Sequence, residues 1–372
     1  MTPLLICAVL LVAFANGAND NFKGVATLYG SQSLRYRPAL SWATASTLAG
    51  SVVALLMAGG LVARFSGKGL VSDAVITDPS FLLAVATGAG LTVVLATRLG
   101  FPISTTHALT GGLVGAGMVL AGPTHVAYGT LGGSFVAPLL LSPVLSLLLA
   151  AALYPVFHWC RRALGVTEET CVCIGGEEQI AVYVPGAANV RLAGGMTVAI
   201  DTVERCERRY RGRVAGIEAQ ALLDRSHVLT AGAVGFARGM NDTPKIAALL
   251  VGAQALGVAG GMWLAALAIA IGGLLGARRV AERISFEITP LNHGQGFTAN
   301  LVTAALVTLA SPLGLPVSTT HVSCGALFGI GAASGEARWA TVAQILTAWV
   351  TTLPVAAALA AGAAFAARAL HS

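Results

Sequence analysis

The chain has 372 residues, 56% of them hydrophobic and only 10% charged, with a mean hydropathy of +0.78. Soluble domains carry roughly 25% charged residues, so an ordinary water-facing surface is excluded. The net charge of +6 lies mostly outside the apolar segments and reads as an orientation signal, not a nucleic-acid footprint.

The first apolar run, "LLICAVLLVAFANGA", approaches the roughly 20 residues that span a bilayer. No A-x-A-like cleavage site follows it; "GAND" does, so the segment is read as a retained helix. "ALSWATASTLAGSVVALLMAGGLVA" and "APLLLSPVLSLLLAAALYPVF" continue the first block. A polar stretch, about 160–226, then interrupts the pattern. Its pieces "QIAVYV" and "TVAIDTV" alternate like short strands. It also holds Cys160, Cys171, Cys173 and Cys206. The single residue between Cys171 and Cys173 is a poor match to structural zinc spacing, so reduced thiols are expected and no metal. The second block includes "AALAIAIGGLLGA" and "VAAALAAGAAFAARAL". The 45 glycines suit closely packed membrane helices.

Basic residues orient these segments. Arg35 and Arg37 follow the first helix, and Arg161, Arg162, Arg205, Arg208 and Arg209 crowd the polar stretch. Arg278, Arg279 and Arg283 follow the second helix of the second block, whose first loop "VGAQALGVAG" is uncharged. With basic loops on the cytoplasmic side, the two blocks run in opposite senses; Arg64 and Lys68 fall on the other side, accompanied by Asp73 and Asp78. The expected fold is an all-α polytopic membrane protein. It would have two inverted-topology repeats with broken helices and re-entrant hairpins, about ten to twelve helical segments, and a small soluble β-containing insert. The division expected is 1–157 for the N-terminal transmembrane repeat, 158–227 for a cytoplasmic central insert and 228–372 for the C-terminal transmembrane repeat.

Two motif pairs recur in the same order. "FANGANDNFKGVA" (Phe14 to Ala26) matches "FARGMNDTPKIAA" (Phe236 to Ala248), and "PISTTH" (Pro102 to His107) matches "PVSTTH" (Pro316 to His321). Inverted-repeat transporters place their site where corresponding segments are interrupted near the midplane. Here Gly17 and Gly239 are expected to interrupt one pair, and Pro102 and Pro316 the other. A proline near a helix start leaves first-turn N–H groups free at the positive dipole end, a ready anion site. Ser104, Thr105 and Thr106 would add hydroxyls from one side, and Ser318, Thr319 and Thr320 from the other, suiting a compact tetrahedral oxyanion. Asp20 and Asp242 are costly in apolar sequence and functional by default. They cannot ligate an anion while ionised, so each must hold a coupling cation, bind a proton or pair with a base. Capping by Asn19–Asp20 and Asn241–Asp242 is compatible with that role.

At these residues the sequence resembles the inorganic phosphate transporter (PiT) family, across both membrane blocks but not the insert. The resemblance implies symport of inorganic phosphate with H+ or Na+ across the inner (cytoplasmic) membrane of a bacterium, by alternating access. It implies phosphate contacts at Asn19, Ser104, Thr105, Thr106, Asn241, Ser318, Thr319 and Thr320, with Asp20 and Asp242 for the coupling ion. No prosthetic cofactor is expected, only the co-transported ion; phosphate and lipid are the partners, nucleic acid is not, and a homodimer is allowed for. Members usually continue as GANDVAN, whereas Lys23 and Lys245 stand at the last position here, and Arg238 and Met240 replace His and Ala. Lys23, Lys245 and Arg238 are therefore charge-balancing candidates. The two lysines either replace sodium ligands, altering the coupling, or form structural Asp–Lys bridges or snorkel to the interface. His107 and His321 either relay protons or pack behind the hydroxyl turns. Trp42, Trp159, Trp263 and Trp339 read as interfacial or packing aromatics.

A permease for sulfate or another tetrahedral oxyanion is the alternative within this fold. A membrane-embedded enzyme is the rival of another class, but no G-x-S-x-G or H-E-x-x-H motif appears. A passive channel would not need embedded carboxylates.

Overall fold

The apolar runs fold as helices, because within lipid a helix satisfies its own backbone polar groups. The computed structural model describes residues 2–57, 59–176, 196–209, 215–252 and 256–369. The first block contains α1 (Thr2–Asp20), α2 (Tyr36–Met57), α3 (Pro79–Arg98), α4 (Thr105–Leu120) and α5 (Ala137–Ala163). The insert carries β1 (Thr170–Gly176), β2 (Met196–Thr202), α6 (Val203–Arg209) and β3 (Ala215–Glu218). The second block contains α7 (Ala219–Gly252), α8 (Val258–Gly276), α9 (Arg278–Phe286), α10 (His293–Ala310), α11 (Thr319–Ser334) and α12 (Trp339–Ala369).

Local chemistry sets several of these boundaries. Asp78 caps α3 by accepting from the Ser80 N–H, with Pro79 in the first turn, where its missing N–H costs nothing. Asn292 and Gln295 form a reciprocal capping box on α10. Among the described residues six segments are long and apolar enough to cross a membrane: α1, α2, α3, α5 with its lead-in from Tyr128, α8 and α12. Helices α4 and α11 have 16 residues each, short of a full span. Helix α7 has the length, but its buried Arg238, Asn241, Asp242 and Lys245 lower its hydropathy.

The chain separates into two compact units. One is Pro155–Ser226; the other joins Met1–Tyr154 with His227–Ser372. Within the insert, β1 pairs antiparallel with both neighbours in the order β2-β1-β3. The expected strand "TVAIDTV" is thus β2, whereas "QIAVYV" lies outside the described residues. Cys173 and Cys206 form a disulfide with their Cα atoms 6.2 Å apart, so the expectation of reduced thiols is corrected for this pair. The β1 strand and α6 bring together two cysteines separated by 33 positions, a proximity that spacing alone could not reveal.

The helix interruptions expected at Gly17 and Gly239 are also corrected. Both glycines sit inside continuous helix and serve close approach instead. A Cβ on Gly17 would lie 2.0 Å from the Ile269 carbonyl oxygen, and one on Gly239 would lie 2.0 Å from that of Thr47. Motif helix α1 thus packs on α8 of the second block, while motif helix α7 packs on α2 of the first. The break comes later and in one copy only: α1 ends at Asp20 and turns before the short helix Ala26–Gly30, whereas α7 continues through Pro244 to Gly252. Gly24 stands where the second motif has Ile246, and glycine is the poorer helix former by a few tenths of a kcal/mol.

Gly17→Val should force α1 off α8. Overpacking of this kind costs about 1–3 kcal/mol or more, so the detergent-solubilised variant should melt at a lower temperature than wild type. Gly129→Ala, with nothing within 4 Å of its added Cβ, should not lower the melting temperature.

Candidate functional site

The two Ser-Thr-Thr segments begin helices in the same way. Ser104 and Ser318 are the N-caps of α4 and α11, each in extended backbone, and their hydroxyls accept from the His107 and His321 N–H at 3.1 and 3.2 Å. A polar side chain at this position relieves one of the four N–H groups that a helix start leaves unpaired. The remaining first-turn donors and the positive dipole end face forward.

The two starts meet. Thr320 Oγ1 donates to the Ile103 carbonyl at 2.8 Å, and Thr106 Oγ1 donates to the Val317 carbonyl at 3.4 Å. Ile103 and Val317 each precede the serine of their own motif, so each turn is bonded by the threonine of the other. Ser104, Thr105, Thr106, Ser318, Thr319 and Thr320 are all buried here.

The carboxylates lie against the same threonines. Asp20 Oδ2 accepts from Asn16 Nδ2 at 2.9 Å and from Thr105 Oγ1 at 3.4 Å. Asp242 Oδ2 accepts from Thr319 Oγ1 at 3.3 Å and from Asn16 Nδ2 at 3.4 Å, while Oδ1 accepts from Asn241 Nδ2 at 3.0 Å. Asn16 therefore bridges the two acids, and its Nδ2 also donates to Thr105 Oγ1 at 3.0 Å. Asn19 pins the turn before α4: it donates to Thr97 Oγ1 and the Phe101 carbonyl and accepts from the Ile103 N–H. Asn241 does the same for the other turn by donating to the Val317 carbonyl at 3.2 Å.

Three buried cations complete the cluster. Lys23 Nζ contacts Asp20 Oδ1, Thr320 Oγ1, the Ile103 carbonyl at 3.1 Å and Asn19 Oδ1 at 3.2 Å. Lys245 Nζ contacts the Val317 carbonyl at 2.6 Å, Thr106 Oγ1 at 2.9 Å and Asp242 Oδ1 at 3.6 Å. Arg238, the largest fully buried side chain, places Nε 3.7 Å from Asp242 Oδ2 and donates to Asn16 Oδ1 at 2.7 Å. It also reaches Asn21 Oδ1 and Thr47 Oγ1. Fully ionised, two carboxylates and three cations sum to one positive charge, which favours an anion.

Sequence reasoning missed Asn16, although it lies inside the quoted motif at the position matching Arg238. The two side chains touch, so the duplicated positions meet where the halves join. It also passed over Trp349. That indole donates to the Pro102 carbonyl at 3.0 Å and packs on His321 with ring centroids 3.7 Å apart. The histidines stack on each other at 4.4 Å, and His321 Nδ1 lies 2.7 Å from Ser318 Oγ. His107 Nδ1 is buried without a hydrogen-bond partner among the described residues.

Buried opposite charges stabilise poorly as a pair, but removing one partner costs about 3–5 kcal/mol. Lys23→Met and Asp20→Asn should each lower the melting temperature of the solubilised protein strongly. The double variant should recover most of the loss; additive losses would show that the two groups act independently.

Comparison with known proteins identifies the family. The family model described as the phosphate transporter family matches residues 16–360. A Rhizobium meliloti protein named "Probable low-affinity inorganic phosphate transporter" is 30% identical, over 98% of this chain and 95% of that one. The chloroplastic inorganic phosphate transporter 2-1 of Arabidopsis thaliana is 29% identical, over 96% of this chain and 71% of its own length. A solved structure titled as the sodium-dependent phosphate transporter superposes with a TM-score of 0.74 at 22% identity, covering 99% of this chain and 98% of that one; at that identity it shows the fold. These relatives are transporters and not enzymes, so the rival of an embedded enzyme falls. The chain is a member of the phosphate transporter family.

Proposed function

We propose that this protein imports inorganic phosphate by ion-coupled symport and alternating access, with one anion held between the starts of α4 and α11. The observation that carries the reading is the reciprocal bonding of the two Ser-Thr-Thr turns beside Asp20 and Asp242. Two positive helix ends, four threonine hydroxyls and a net positive cluster match a small oxyanion on both sides. Ser104, Thr105, Thr106, Ser318, Thr319 and Thr320 are the proposed phosphate ligands, each threonine hydroxyl turning its one proton to the anion from the carbonyl or carboxylate that it meets here. Asn19 and Asn241 shape the turns that present them. Inverted repeats supply the two turns from opposite sides of an inner membrane, with the insert on the cytoplasmic side.

The lysines bear on the coupling ion. Each ammonium sits among carboxylate, carbonyl and hydroxyl oxygens, the hard donor set that cations of this kind select. A cation tethered to the chain fills that cage in place of a free one. Lys23 and Lys245 therefore take over the charge compensation that a sodium-coupled carrier draws from solution, and protons drive transport through Asp20 and Asp242. The stacked His107–His321 pair, joined to Ser318, offers a proton path. The solved relative with sodium in its title has its own coupling, which does not transfer at 22% identity.

Proteoliposomes loaded with unlabelled phosphate should take up labelled phosphate by counterflow, and an inward proton gradient should drive net accumulation. Thr319→Val, which removes one hydrogen bond to an anion worth about 1.5–3 kcal/mol, should raise KM by roughly ten- to a hundredfold. Asp242→Asn should abolish proton-driven accumulation. Leakage without counterflow would indicate a pore, and equal competition by sulfate would transfer the assignment to the sulfate permease alternative.

A further inference from the structure

The insert holds a cluster that phosphate transport does not use. Cys171, Cys173 and Cys206 place their sulfur atoms within 4.8 Å of one another, and all three are buried. Strand geometry explains the grouping: residues i and i+2 share one face, so the Cys-x-Cys of β1 points both thiols at α6, which supplies Cys206. Ala199 and Val203 pack against them. The spacing argument against a metal holds for a turn-borne knuckle, not for a strand.

We propose that this cluster is a redox-gated site for one thiophilic metal ion, with Cys171, Cys173 and Cys206 as its three ligands. In the oxidised form two sulfurs are tied up in the Cys173–Cys206 disulfide and Cys171 stands alone. A dithiol reductant delivers two electrons and two protons: the S–S bond breaks, two S–H groups form and the reductant leaves as its own disulfide. The metal then displaces three thiol protons. With metal–sulfur bonds of about 2.3 Å, three ligands lie about 4 Å apart, a spacing that three sulfurs already within 4.8 Å of one another can adopt once the Cys173–Cys206 bond has opened. Among the described residues no fourth histidine, cysteine or carboxylate joins the cluster. This favours a soft ion content with three sulfurs, such as Cu(I) or Cd(II), or zinc with water in the fourth position.

Cadmium is the probe. The full-length protein in detergent, reduced with a phosphine and desalted without oxygen, should develop the cadmium–thiolate charge-transfer absorbance and saturate at one ion per chain. The same protein left oxidised should show no band, a comparison that needs no substitution. Cys171→Ser and Cys206→Ser should each weaken binding by more than about tenfold, a loss that even an outer-sphere partner can bring. Cys160→Ser should bind as wild type does. Size exclusion and retained phosphate uptake would show that the variants fold. A reduced wild type without the band, an oxidised form that binds equally, or a band that survives both substitutions would overturn the site.

Discussion

Five ionisable side chains in an apolar helix bundle constrain everything else. An isolated charge in hydrocarbon is expensive, and Asp20, Lys23, Arg238, Asp242 and Lys245 are each less than 5% exposed. They are tolerable together because every one of them has an oppositely charged neighbour or several oxygen partners. Asn16 fixes the two carboxylates in relation to each other, and Thr105 and Thr319 each donate one further hydrogen bond, to Asp20 and Asp242 respectively. Any motion of one half against the other must keep this set compensated, so the cluster and the transport cycle are bound together.

The contacts that hold the halves together are crossed. Helix α1 of the first block packs on α8 of the second, and α7 packs on α2. Each lysine likewise reaches across: Lys23 touches Thr320 of the second block, and Lys245 touches Thr106 of the first. Glycine at Gly17 and Gly239 permits the backbone approach at both crossings. A duplicated chain arranged in this way has two related interfaces around one centre. In the proposed cycle, rocking about that centre exchanges which side is open while leaving the proposed anion contacts in place.

Much of this was legible in the residues. Aspartates in apolar sequence announce a site by their cost, and two motif pairs in the same order announce a duplication. The helix starts at the Ser-Thr-Thr segments also followed from their prolines and caps. What was not legible depended on which helix faces which. Gly17 and Gly239 looked like breaks because glycine is a weak helix former, yet tertiary contact with Ile269 and Thr47 decided their role. Asn16 carries no signal of its own, because its role depends on Arg238 lying against it in the fold. Trp349 carried no signal, since tryptophan in a membrane sequence reads first as an interfacial anchor. The Cys173–Cys206 pairing required knowing that β1 lies under α6.

The central claim is that the site brings its own cations in Lys23 and Lys245. Equilibrium binding of labelled phosphate to the purified protein, with choline replacing sodium throughout, tests it most directly. The account predicts the same Kd in both salts to within about twofold. A Kd weaker by about tenfold or more in choline, a loss of about 1.4 kcal/mol, would contradict it.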